Sequence, residues 1–108
     1  MATRDAPLES TVKRNVEKVL KQAGAYFIKA TSDQAAGTPD LLICYRGCFV
    51  AMELKRPGLG PTKLQAYRMA EIVEAGGYAF CIHSAEEAKY ALSVVDIGEA
   101  FPKANDST

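Results

Sequence analysis

Three residues, Asp40, Glu53 and Lys55, define the chemistry open to this sequence. They sit at the ends of the stretch GTPDLLICYRGCFVAMELK, Gly37 to Lys55, which has the pattern of a β-hairpin. Leu41–Tyr45 is a run of apolar and β-favouring residues, Arg46-Gly47 is a two-residue turn, and Cys48–Leu54 runs back. With that turn Tyr45 faces Cys48, paired positions sum to 93, and Asp40 falls opposite Glu53. Directly opposed residues share a sheet face, with Cβ atoms roughly 4.5–5.5 Å apart. Lys55 lies two residues beyond Glu53 and points to that face as well. Carboxylates opposite each other repel, so the pair calls for a compensating charge. A divalent cation with oxygen ligands supplies it, Mg²⁺ first and Mn²⁺ as its substitute. Such a cation offsets charge on a phosphoryl oxygen and eases deprotonation of a water. The neighbouring ammonium orients the attacking water or stabilises the transition state. The combination suits phosphodiester hydrolysis. An E-x-K on a strand is, in isolation, more often a surface ion pair; the opposed Asp40, the apolar strand and the basic loop that follows favour chemistry.

The charge pattern points to the same substrate. The formal net charge is zero, yet residues 1–68 hold eleven Lys/Arg against six Asp/Glu, and residues 69–108 hold two against seven. Between Leu54 and Ala70 come Lys55, Arg56, Lys63 and Arg68 with no acid. A basic patch beside a carboxylate pair suits a phosphodiester substrate, with Arg56, Lys63 and Arg68 as candidate phosphate contacts; the alternative reading is a solvated charged face. The loop RPGLGPT lacks the G-x-x-x-x-G-K-[ST] spacing, which excludes a nucleotide cofactor bound by that route.

The elements that must position these residues follow from periodicity. A helix over Leu8–Ala23 shows the stripe Val12, Val16, Val19, Leu20 and Ala23, with Asp5 as a candidate cap and Pro7 in its first turn. Glu9 lies on the same stripe; it is either an acid aimed along the core-facing side or a first-turn acid favoured by the helix dipole. Tyr26–Ala30 reads as a strand and Thr31–Thr38 as a polar loop, its last residue held extended by Pro39. Thr62 caps a helix over Lys63–Ala75 that buries Ala66, Met69, Ala70 and Val73 and carries Gln65 in its first turn. Tyr78–His83 is a strand, and Ser84-Ala-Glu-Glu87 a capping box opening a helix to about Ser93, with Ala88, Ala91, Leu92 and Val95 inward. His83 reads as a satisfied polar residue at the sheet edge. The order is α-β-β-β-α-β-α, an α/β fold with a small mixed sheet flanked by helices.

At 108 residues, 48% hydrophobic and 24% charged, the chain is expected to form one domain over 1–108, with about 1–7 and 102–108 as flexible tails. It has no apolar run approaching the roughly 18–20 residues of a membrane span and no signal-peptide core, so the expected compartment is the cytoplasm. Cys44, Cys48 and Cys81 are an odd number with no C-x-x-C spacing, the one histidine is His83, and the three read as buried free thiols rather than a zinc site.

Pro39-Asp40, twelve residues, then Glu53-Leu54-Lys55 resembles the PD-(D/E)XK signature of the restriction-endonuclease-like fold. More narrowly, Gly37-Thr-Pro-Asp40, Glu53-Leu-Lys55, Gln65, Gly76-Gly77 and Glu9 resemble the VRR-NUC domain, over about Leu8 to Ser84. The resemblance implies a mixed sheet flanked by helices, Asp40 and Glu53 as metal ligands supported by Glu9, Lys55 as the catalytic lysine, and Gln65 as a substrate- or water-positioning residue. It further implies a Mg²⁺-dependent, structure-selective endonuclease of the stand-alone bacterial or phage type, a homodimer similar to Holliday-junction resolvases, at work in a bacterial or phage-infected cell. Alternatives within enzymes are a flap, end or general DNA nuclease; from other classes come a catalytically silent DNA-binding module and a small metal-binding interaction protein. An intact Asp40–Glu53–Lys55 set disfavours the silent module, since binding alone does not require it.

Overall fold

A computed structural model of the chain describes residues 8–98. The elements are α1 (Glu9–Gln22), β1 (Tyr26–Lys29), β2 (Leu41–Tyr45), β3 (Cys48–Leu54), α2 (Lys63–Glu74), β4 (Tyr78–Ile82) and α3 (Ala85–Ile97). This is the α-β-β-β-α-β-α order that the periodicity predicts. The strands form one mixed sheet in the order β1-β2-β3-β4, antiparallel except for the parallel β3–β4 pair, which α2 connects. Among the described residues no helix is long and apolar enough to cross a membrane.

The hairpin register is the one its turn dictates. Tyr45 pairs with Cys48 and Leu41 with Met52, and both central turn residues take positive φ, Arg46 at 50° and Gly47 at 78°, as a primed turn requires. The tip is pinned to α3: the Tyr45 hydroxyl donates to Asp96 Oδ1 at 2.9 Å, and Arg46 Nε meets the same oxygen at 2.9 Å.

Strand alternation divides the sheet into two unlike faces. Leu41, Ile43, Tyr45, Val50, Met52, Leu54, Tyr78 and Ile82 face one side and pack against Val12, Val16, Val19 and Leu20 of α1 and Ala88, Ala91, Leu92 and Val95 of α3. This is the hydrophobic core. The opposite face carries Tyr26, Ile28, Leu42, Cys44, Phe49, Ala51 and Glu53, and among the described residues α2 is the helix that covers part of it. Tyr26, Ile28 and Phe49 stay exposed there. So does Cys44, because among the described residues no helix covers the β1–β2 end of this face; Cys48 and Cys81 are half-buried, so the three thiols are free but not buried.

Other expectations need correction. The α1 N-cap is Leu8, with no side-chain cap; Asp5 and Pro7, and the tails at 1–7 and 102–108, lie outside the described residues. No residue of α2 is fully buried. Its inward line is Gln65, Arg68, Met69, Ile72 and Val73, a stripe rotated from the predicted one, with Ala66 and Ala70 exposed. The rotation follows from packing: Ile72 is the larger apolar group and settles onto Phe49 beside Gly77, where an added Cβ would lie 2.9 Å from Ile72 Cγ2. Finally, α3 runs a turn past Ser93, because Val94 and Val95 pack on the core, and stops at Gly98 in the left-handed conformation.

Candidate active site

Asp40 and Glu53 meet at the open end of the β2–β3 hairpin. Asp40 precedes β2, and the register places it across from Glu53 on the face that α2 partly covers. Its carboxylate is fixed: Oδ2 accepts the Leu54 N–H at 2.8 Å, while its own carbonyl accepts the Ala30 N–H at 2.8 Å. The approach to it is fixed as well. Gly37, at φ +82°, passes so close to α2 that an added Cβ would stand 2.7 Å from Leu64 Cγ and 3.0 Å from Leu64 O. Arg68 closes the same loop, Nε donating to Ala36 O at 3.0 Å and Nη1 pairing with Glu71 at 2.9 Å.

Glu53 is the one buried charged residue described, 3% exposed. Lys55 Nζ approaches its Oε2 to 3.8 Å, but Oε1 is buried with no partner among the described residues. Burial first, and the charge of Asp40 second, push the Glu53 carboxyl up to about 7, with Lys55 offsetting part of the effect. An unpaired buried carboxylate oxygen is costly, and natural cores keep few such atoms. Cys81 pairs with Glu53 across β4, and burial followed by the Glu53 charge pushes its thiol up, so it stays protonated at neutral pH.

The second unpaired buried polar atom is Arg56 Nε, on the loop directly after Lys55. It is a donor, as the Glu53 oxygen is an acceptor. At the end of β4, His83 lies with Nδ1 2.9 Å from Glu87 Oε1 and Nε2 2.6 Å from Leu59 O. It is the satisfied polar residue expected there. The predicted capping box at Ser84 is therefore half made: Ser84 Oγ accepts the Glu87 N–H, but the Glu87 carboxylate reaches past Ser84 to His83.

The remaining predicted site residues are exposed or hydrogen-bonded to other partners. Glu9 is exposed in the first turn of α1, and no three Asp, Glu, His or Cys side chains among the described residues stand together as a metal cluster, so Glu9 does not join Asp40 and Glu53. The Gln65 side chain is committed to a capping box, its Oε1 accepting the Thr62 N–H at 2.8 Å while the Gln65 backbone N–H donates to Thr62 Oγ1. Thr-x-x-Gln at a helix start is the signal for that role. Arg68, held by Ala36 and Glu71, serves the loop before Asp40. Lys63, at the start of α2, is exposed. The His83–Leu59 tie and the buried Arg56 Nε carry no signal in the sequence; the His-x-x-x-Glu spacing is a signal for the His83–Glu87 contact alone.

No protein-family model matches the chain, and no curated protein matches it in sequence. In structure it is similar to a solved "VRR_NUC domain", with a TM-score of 0.70 and 21% sequence identity over 79% of this chain and 94% of that one. The chain thus has a VRR-NUC fold, the one that its motif spacing led us to expect.

Proposed function

We propose that this chain is a divalent-metal-dependent DNA nuclease, and more narrowly a structure-selective endonuclease acting on branched DNA such as four-way junctions. Glu53 carries the reading: a buried carboxylate with a free oxygen, opposite a second carboxylate and beside a lysine. A purely structural ion pair would satisfy both its oxygens. The all-oxygen donor set suits Mg²⁺ or Mn²⁺, with Asp40 and Glu53 as the residues that hold it and waters or substrate oxygens completing the shell. When bound, the cation supplies Lewis acidity, which offsets charge on a phosphoryl oxygen and makes an adjacent water easier to deprotonate.

The chain's own residues do the rest. The Leu54 N–H aims the Asp40 carboxylate. Lys55, with a side chain only 16% exposed, keeps its ammonium on the reacting face, where it orients the attacking water or binds a non-bridging oxygen. The half-buried Arg56, on the loop after Lys55, brings its positive charge to a phosphate, and Lys63 adds an exposed positive charge to the approach. The name of the structural neighbour supports the same class.

Resolving a four-way junction takes two symmetric nicks, so the proposal includes a homodimer with an isologous interface. The uncovered apolar patch of Tyr26, Ile28 and Phe49 supports it as a surface for a second copy. The test is purified protein with Mg²⁺ on labelled four-way, flap, duplex and single-stranded DNA. Paired symmetric cuts in the four-way substrate support the full reading. Cutting restricted to flaps or ends by a monomer retains the nuclease and removes the resolvase, and no cutting of any DNA overturns both.

A further inference from the structure

The turn after Lys55 is tied down from outside. Arg56-Pro57-Gly58-Leu59 closes with the Leu59 N–H donating to Arg56 O at 3.1 Å. Proline in the second position and Gly58 at φ +90° in the third mark a type II turn. Beyond that internal bond, Leu59 O lies 2.6 Å from His83 Nε2. The other ring nitrogen lies 2.9 Å from Glu87 Oε1, which also accepts the His83 backbone N–H at 2.9 Å. Carbonyl and carboxylate oxygens only accept, so both contacts form together only when both ring nitrogens donate. That is the imidazolium. A neutral ring satisfies one contact and sets a lone pair against an oxygen at the other.

The surroundings agree with a charged ring. Burial opposes it, but the hydrogen bonds to Glu87 and Leu59 outweigh burial and leave the His83 pKa raised above 6.5. Burial likewise works against the Glu87 carboxylate, and its bonds to His83 more than compensate and hold it below its ordinary value. From β4 the titratable neighbour is Cys81, its Sγ 3.8 Å from Nε2 and its thiol pushed up by burial. From the loop side the charged residues are Lys55, whose N–H donates to Ile82 O at 3.0 Å, and Arg56.

We propose that His83 is a positioning residue: shared as an imidazolium between Glu87 and Leu59 O, it fixes the Arg56–Leu59 turn and with it the half-buried Arg56 side chain, whose guanidinium binds a phosphate of DNA at the Asp40–Glu53–Lys55 site. The identity of that anion rests on the nuclease reading; the tether does not. A histidine whose folded pKa is raised contributes its tie fully below the unfolded value and loses it as pH rises through the folded one. The tether therefore weakens on the alkaline side.

The chain has one histidine, so its imidazole NMR signals need no assignment. The expected result is a titration midpoint above 6.5, with both ring nitrogens protonated at pH 6, and a lower midpoint in Glu87→Gln. His83→Ala should lower the single-turnover cleavage rate at least about tenfold, since small misplacements cost up to ~10²-fold. It should remove the His83-dependent alkaline fall in rate, and His83→Gln should restore part of the rate. Arg56→Ala should cost little further in the His83→Ala background, because the two act as one unit. A midpoint at or below 6.5 that Glu87→Gln leaves unmoved overturns the tether. Additive losses from His83→Ala and Arg56→Ala overturn the positioning role. A wild-type protein that cleaves no DNA overturns the nuclease reading alone; NMR still decides the tether, and the same double-mutant comparison in metal-free DNA binding decides the role of Arg56.

Discussion

Replacing Glu53 with Gln should make the metal-free protein more stable at alkaline pH. The carboxyl is 3% exposed and faces Asp40. Folding raises it from 4.5 to about 7, through burial first and the Asp40 charge second. Between those values the folded state holds a proton that the unfolded chain has released, so stability falls as pH rises through the window. At 1.36 kcal/mol per pH unit, charging Glu53 costs the native state about 3 kcal/mol by pH 8. Glutamine keeps the shape and omits the charge. In EDTA at pH 8, Glu53→Gln should therefore gain about 1–3 kcal/mol over wild type, or at ~4–8 °C per kcal/mol a clearly higher Tm. Urea unfolding at pH 4 and pH 8 checks this, since carboxylates elsewhere cancel in the comparison and the difference should largely vanish at pH 4. Added Mg²⁺ should raise the wild type at pH 8 and leave the variant unmoved. A variant that is less stable at pH 8, or a difference that ignores pH, would refute the reasoning and make Glu53 an ordinary structural residue.

Other substitutions separate the roles of neighbouring cations and loops. Lys55→Ala should lower the single-turnover rate by about 10²–10³-fold, the usual cost of losing one transition-state donor, with DNA binding nearly unchanged; equal losses in rate and binding would reduce it to a phosphate contact. Lys63→Ala should reduce the salt slope of DNA binding by about 0.9, whereas Arg68→Ala, already bound to Ala36 O and Glu71, should leave the slope alone and speed hydrogen exchange in residues 31–38. Gly37→Ala meets both a left-handed φ and the Leu64 contact, so calorimetry should show a loss of about 1–3 kcal/mol.

Much of the fold was legible because short-range geometry determines it. A two-residue turn at Arg46-Gly47 admits one register, and that register brings Asp40 opposite Glu53. The stripes Val12, Val16, Val19 and Leu20 of α1 and Ala88, Ala91, Leu92 and Val95 of α3 were legible because those helices pack on one sheet face, whereas Ala23, expected on the α1 stripe, is the exposed C-cap. The α2 stripe was misread for the opposite reason: this helix buries nothing fully, and the fit of Ile72 against Phe49 sets its rotation. The site was legible where residue type and register suffice. It was not where competing partners decide. Gln65 has a nearer partner in Thr62, Arg68 in Ala36 and Glu71, and Glu87 in His83 rather than Ser84. These are tertiary choices among acceptors, which spacing alone does not rank. Glu9 remains on the exposed side of the first turn of α1, although its spacing continues the buried stripe, because at a helix end the core has fallen away.

The most direct measurement is single-turnover cleavage of a labelled four-way DNA junction by wild type and Asp40→Asn, in Mg²⁺ and in EDTA. Asp40 is held by the Leu54 N–H against Glu53, and its amide counterpart keeps the shape while losing the charge that holds a cation. The prediction is cleavage by wild type in Mg²⁺ only, and none by Asp40→Asn in either condition although it is folded and binds the junction. Cleavage that persists in EDTA, or in Asp40→Asn, would contradict the claim that Asp40 and Glu53 form a metal-dependent nuclease site.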